Sequence, residues 1–112
     1  MAIRLDKPWQ SIDEALTRLR GHLGVYQLAD DSGTVIYIGF AGGNSLYGLK
    51  GEVRDMTERL SAATQVRWEI NTAYQSRFRE LLWVHNADFG ELPRYNIEFN
   101  HRPTRLGRLS PA

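Results

Sequence analysis

Two short strings, Gly24-Val25-Tyr26 and Tyr37-Ile38-Gly39, flank a turn-like Ala29-Asp30-Asp31-Ser32-Gly33. Strand-forming residues on either side of a glycine-containing turn predict a β-hairpin. A hairpin constrains the fold strongly, because its strands must be antiparallel neighbours and whatever covers them must come from elsewhere in the chain. Each predicted strand carries one tyrosine of the paired strings. Val35-Ile36-Tyr37-Ile38 is a continuous β-favouring run, as in a strand buried on both faces.

The remaining periodicities supply the cover. Ser11-Ile12-Asp13-Glu14 is a capping box, and Ile12, Ala15, Leu16 and Leu19 follow at helical spacing, which predicts a helix from about Ser11 to Arg20, ended near Gly21. Ala41-Gly42-Gly43-Asn44-Ser45 reads as a loop, with Ser45 as cap of a second helix running through Gly51 to about Leu60. Gly48 and Gly51 weaken its start, each at a cost of about 1 kcal/mol. Val66, Trp68 and Ile70 alternate with Arg67, Glu69 and Asn71, the pattern of a half-buried third strand. Thr72 with Gln75 predicts the cap of a third helix whose face carries Tyr74, Phe78, Leu81, Leu82 and His85, closed by Gly90 and Pro93. Tyr95, Ile97 and Phe99 alternate again, and predict a short fourth strand. The residues from His101 onward read as a tail. The predicted class is α+β: a small three-stranded antiparallel sheet flanked by helices, with that fourth strand added, in one domain over residues 1–112.

Hydrophobic content of 42% suits one core, and 24% charged residues is ordinary. The net charge of +1 gives no global attraction to nucleic acid, so such a contact needs a local basic patch. The absence of cysteine excludes disulfides and thiolate metal sites. The first ten residues lack the apolar run of a signal peptide, and no stretch approaches transmembrane length. The expectation is a cytoplasmic domain with no membrane partner.

The paired strings, followed by Leu81-Leu82-Trp83-Val84-His85-Asn86 and Pro93-Arg94-Tyr95-Asn96, resemble the GIY-YIG nuclease domain, in particular that of the bacterial nucleotide-excision-repair endonucleases. The resemblance covers about residues 24–96. It implies the same α+β fold and a phosphodiesterase site: two tyrosines beside the scissile phosphate, an arginine on the following helix, a helix glutamate on a single divalent ion, and a closing asparagine. Tyr26 and Tyr37 match the tyrosines and Asn96 the asparagine. The arginine falls near Leu49 or Lys50, with Arg54 one turn further on. The glutamate position, twelve residues before Asn96, is Val84, which offers an ion no oxygen. Glu80, one turn earlier, is the candidate replacement ligand, and Glu69 a weaker one.

Gly42, Gly43, Asn44 and Ser45 form a candidate phosphate-binding loop at a helix N-terminus. His22, His85 and His101 have no ligand spacing between them, and His85 reads as a boundary residue of the third helix. Trp68 has the inward phase of its strand and Trp83 sits at the edge of the helix stripe. Arg77 and Arg79 lie on the third helix, and Arg94, Arg102, Arg105 and Arg108 make the end of the chain basic. Three functions follow: binding of DNA or RNA with endonuclease activity lost or impaired and no cofactor; an active Mg²⁺- or Mn²⁺-dependent endonuclease with Glu80 as displaced ligand; or a scaffold for a protein partner. The first is preferred because of Val84.

Overall fold

The hairpin forms as its turn residues dictate. A computed structural model describes residues 4–99, and in it β2 (Gly24–Ala29) pairs antiparallel with β3 (Val35–Ala41). The Asp30 carboxylate accepts from the N–H groups of Ser32 and Thr34 at 3.0 Å each, and Gly33 takes the left-handed conformation at φ 86°. The complete order is β1 (Gln10–Ser11), α1 (Ile12–Arg18), β2, β3, α2 (Gly48–Arg59), β4 (Gln65–Ile70), α3 (Tyr74–Phe89) and α4 (Arg94–Glu98). The strands form one antiparallel sheet in the spatial order β1-β4-β2-β3.

The alternation of side chains on β2 divides the core into two. Tyr26 and Leu28 face the side of α1 and α2, with Ala15, Leu49, Val53 and Met56. Val25 faces the other side with Ile38, Leu81 and Leu82, under α3. Ile36, Tyr37 and Ile38 are all buried, as the continuous apolar run of β3 requires.

Several boundaries depart from the sequence expectations. The Ser11 cap is present, its Oγ accepting from the Glu14 N–H at 3.3 Å, but α1 ends at Arg18. Gly21 is then free to run against α2: a Cβ on Gly48 (φ +60°) would lie 2.2 Å from the Gly21 carbonyl carbon, so only glycine permits that approach. Ser45 does not cap α2, whose N-cap is Tyr47. Thr72 does not cap α3. The Asn71 side chain accepts instead from the Ala73 N–H at 2.8 Å. Ile70, expected to face inward, is 57% exposed at the end of β4.

The fourth strand exists, but at the other end of the chain. Gln10 and Ser11 pair with Val66 and Gln65, whereas Tyr95–Phe99, expected as a strand, forms the helical turn α4 and its cap. A spacing of four places Tyr95 and Phe99 on one helical face as readily as on one strand face. Both pack against the core while Ile97 points to solvent. Helical geometry also turns Asn96 inward.

Asn96 is fully buried, and its side chain reads the backbone of β3. Oδ1 accepts from the Ile38 N–H and Nδ2 donates to the Ile38 carbonyl, both at 2.8 Å. Strand β3 lies at the edge of the sheet, and the amide pairs there as a neighbouring strand would.

Candidate functional site

The glycines of the two strings first explain the strings themselves. A Cβ on Gly39 would lie 2.5 Å from Cζ of Tyr26, and one on Gly24 would lie 2.1 Å from the Glu69 carbonyl oxygen. The Tyr26 ring therefore crosses the hairpin where position 39 has no side chain, beside Tyr37 at a centroid separation of 6.1 Å. Phe99 meets Tyr37 edge-on at 5.7 Å.

These tyrosines are buried, at 0% and 7% exposure. Burial raises the Tyr26 phenol well above its ordinary range and pushes Tyr37 up to about 12, with Glu52 adding to both and Arg59 opposing it at Tyr37. Both phenols stay protonated near neutral pH, able to donate a hydrogen bond and unsuited to serve as a base.

The carboxylate acting on both tyrosines is Glu52, with Asp55 adding at Tyr26; the sequence reading missed both carboxylates. Glu52 stands on α2 at the margin of the stripe formed by Leu49, Val53 and Met56, the one sequence signal that pointed to it. Its Oε2 accepts from Ser45 Oγ at 2.8 Å.

Glu80 belongs elsewhere. It lies on α3, across the sheet from Tyr26 and Tyr37. Arg77, 9% exposed, reaches Glu80 at 2.5 Å through Nη1 and Glu69 at 3.0 Å through Nε. The expectation of Glu80 beside the tyrosines is corrected, since the sheet separates them and a guanidinium already bridges the two candidate carboxylates. At Glu69, burial raises the pKa, but hydrogen bonds from Asn71 and Arg77 outweigh it and hold the carboxyl below its usual range. Divalent Mg²⁺ or Mn²⁺ takes several oxygen ligands. Glu52 accepts from Ser45 and Asp55 is paired with Arg54, while Glu69 and Glu80 are both held by Arg77 across the sheet, so the residues present do not fit such an ion. Among the described residues no three His, Cys, Asp or Glu side chains converge.

The loop proposed for phosphate turns its N–H groups inward. Gly42 N–H donates to Ser45 Oγ at 2.9 Å, Gly43 N–H to the Tyr74 hydroxyl at 3.1 Å, and Ser45 N–H to the Gly42 carbonyl at 3.0 Å. Asn44 is exposed. At the start of α2, the N–H groups of Leu49 and Lys50 donate to the carbonyls of His22 and Arg20. A phosphate cradle is therefore not formed here, because these backbone donors already have partners.

What the start of α2 does present is side chains. Leu46 is 83% and Tyr47 60% exposed. The Arg54 guanidinium lies 5.6 Å from the Tyr47 ring centroid and 3.6 Å from the Asp55 carboxylate. Lys50 is half-buried on the same helix. Arg54 thus lies against an exposed aromatic ring, with Lys50 in the first turn of the same helix, whereas the cation acting on Tyr37 is Arg59. Asn96 serves β3.

The other singled-out residues have structural surroundings. His85 donates through Nδ1 to the Glu91 carbonyl at 3.0 Å, and its ring centroid lies 4.5 Å from that of Phe89. Trp68 packs on the core, while Trp83 is 53% exposed. Arg79 is exposed on α3, and Arg94 pairs with Glu98 at 3.7 Å. His101, Arg102, Arg105 and Arg108 lie outside the described residues.

No helix among the described residues is long and apolar enough to cross a membrane. The sequence matches a family described as a domain of unknown function (DUF7508) over residues 3–88. No curated protein matches it.

Proposed function

The chain belongs to the DUF7508 family, and we propose that it binds DNA or RNA without hydrolysing it, through the exposed start of α2. The observation that carries this reading is Tyr47, an exposed ring with Arg54 against it and Lys50 close by on the helix. An aromatic face with adjacent cations suits a single strand, whose bases stack while its phosphates meet the charges. The local cluster supplies what a net charge of +1 does not.

The resemblance to GIY-YIG nucleases is part of the same proposal, with the hairpin inherited and its chemistry lost. Val84 in place of the glutamate, tyrosines buried and protonated, and Glu80 across the sheet all favour loss of cleavage over a displaced metal ligand. A cytoplasmic location, with nucleic acid as the partner, also belongs to this reading.

The test is binding and cleavage on single-stranded, duplex and branched DNA and on single-stranded RNA, with Mg²⁺, Mn²⁺ or chelator. Salt-sensitive binding without cleavage supports the proposal. Metal-dependent cleavage abolished in Tyr26→Phe would restore the nuclease reading. Binding neither to DNA nor to RNA would leave a protein-interaction scaffold.

A further inference from the structure

On the α3 side of the sheet, beside the hairpin turn, lies a cavity of about 720 Å³. That is within the range of small-molecule sites. Ile36, Leu81 and Leu92 supply apolar wall, and Trp9, Gln27 and Arg67 supply the rest of what matters here.

The polar groups are unevenly matched. Asp88 on the lining is held by Arg4, with contacts of 2.6 and 2.9 Å, and Asp30 is held by its own turn. Arg67 has no such match: among the described residues no carboxylate lies within 4.0 Å of it. Its Nε donates to Gln27 Oε1 at 2.7 Å, its Nη1 to the Lys7 carbonyl at 3.3 Å, and its Cζ lies 4.2 Å from the Trp9 ring centroid. Burial works against its charge, and Asp6 offsets that only from a distance.

Gln27 is the second anomaly. It is 5% exposed, and because Oε1 must face the Arg67 donor, Nε2 is fixed as the remaining group. Nε2 has no acceptor among the described residues. The fully buried side-chain atoms without a partner are, among the described residues, on Gln10 and Thr64, so Gln27 Nε2 still opens to the cavity as a free donor, beside a half-buried cation that lacks an anion. One ligand oxygen pair satisfies both.

We infer that this cavity binds a small organic carboxylate with an apolar body, its oxygens accepting from Arg67 and Gln27 Nε2 and its body lying against Leu81 and Leu92. A planar carboxylate suits the adjacent donors of a guanidinium and an amide, and the wall suits hydrocarbon. The site lies across the sheet from the tyrosines and is independent of nucleic-acid binding.

The test uses the full chain, with phenylacetate and its neutral analogue phenylacetamide as probes, followed by amide and indole NMR shifts. Saturable shifts at the Gln27 side-chain amide and the Trp9 indole N–H are expected with a millimolar or tighter dissociation constant. Phenylacetamide should bind at least about tenfold more weakly. Gln27→Glu gives Arg67 an internal carboxylate and should abolish the acid preference while the fold is kept, as judged by an unchanged spectrum elsewhere. Arg67→Met should have the same effect on binding. Equal shifts from acid and amide, full phenylacetate binding by Gln27→Glu, or no saturable shift with either probe would each overturn the inference.

Discussion

The ring of Tyr26 fills the space that a side chain at Gly39 would need. An added Cβ would lie 2.5 Å from Cζ and 2.6 Å from the hydroxyl of Tyr26, and 2.8 Å from Cε2 of Tyr37. Both rings are buried and cannot swing into solvent. Gly39→Ala is therefore expected to destabilise the fold by about 1–3 kcal/mol, as overpacking does. Tyr26→Leu in the same chain should recover part of that loss, so the two substitutions will be non-additive. Urea midpoints of the two single variants and the double variant measure it. Simple additivity would mean that the ring and the glycine do not compete for the same space.

The Asn96 amide holds an edge strand by two hydrogen bonds of 2.8 Å to one residue, Ile38. Asn96→Ala removes both and leaves a buried N–H and a buried carbonyl, at an expected cost of about 2–4 kcal/mol. Faster exchange of the Ile38 amide proton should accompany it. Retention of wild-type stability and exchange would show that Asn96 does not secure β3.

The same residue marks where the sequence stopped being legible. Its neighbours Tyr95, Ile97 and Phe99 alternate, and a period of two cannot be told from a single helical turn when only five residues carry it. The Ser11 cap and the Gly90 stop were readable because each acts on adjacent backbone; Gly90 takes the left-handed conformation expected of a helix end. The hairpin was readable for the same reason. Glu52 was not readable as a charge acting on the tyrosines, since its position depends on how α2 lies on the sheet. Glu80 was misplaced because helical spacing says which residues share a face and nothing about which side of a sheet that face will cover. The two-residue strand Gln10–Ser11 has no pattern of its own and exists only through β4.

Arg77 ties Glu69 to Glu80, and that bridge has a pH signature. The folded pKa of Glu69 is depressed, since hydrogen bonds from Asn71 and Arg77 outweigh the effect of burial. The unfolded chain therefore takes up the proton more readily. The stabilisation is complete above the unfolded glutamate value of about 4.3 and is lost as the pH falls through the lower folded value. Glu69→Gln should be less stable than the parent near neutrality and should lose less on acidification. Arg77→Met should be worse than either Glu69→Gln or Glu80→Gln, because it removes the shared cation from both carboxylates at once. Urea midpoints across the acid range decide this; parallel curves for parent and Glu69→Gln would remove the bridge as a source of acid sensitivity.

The nucleic-acid reading stands or falls on the exposed start of α2. If Tyr47 stacks on a base, Tyr47→Ala should weaken single-strand binding by about 1–3 kcal/mol. Lys50→Ala and Arg54→Ala should each weaken it severalfold and reduce the steepness of its salt dependence by about one phosphate contact. Arg54 is paired with Asp55, so Asp55→Asn should strengthen binding by freeing the guanidinium. Arg79, exposed on α3 across the sheet, is the matching control, and Arg79→Ala should change nothing. Glu80→Ala should likewise leave affinity unchanged, because Glu80 lies on that far side with Arg77. Fluorescence anisotropy with a labelled single strand at several salt concentrations separates these outcomes. Loss of binding in Arg79→Ala with Lys50→Ala and Arg54→Ala unaffected would move the interface to the α3 face and sink the proposed one.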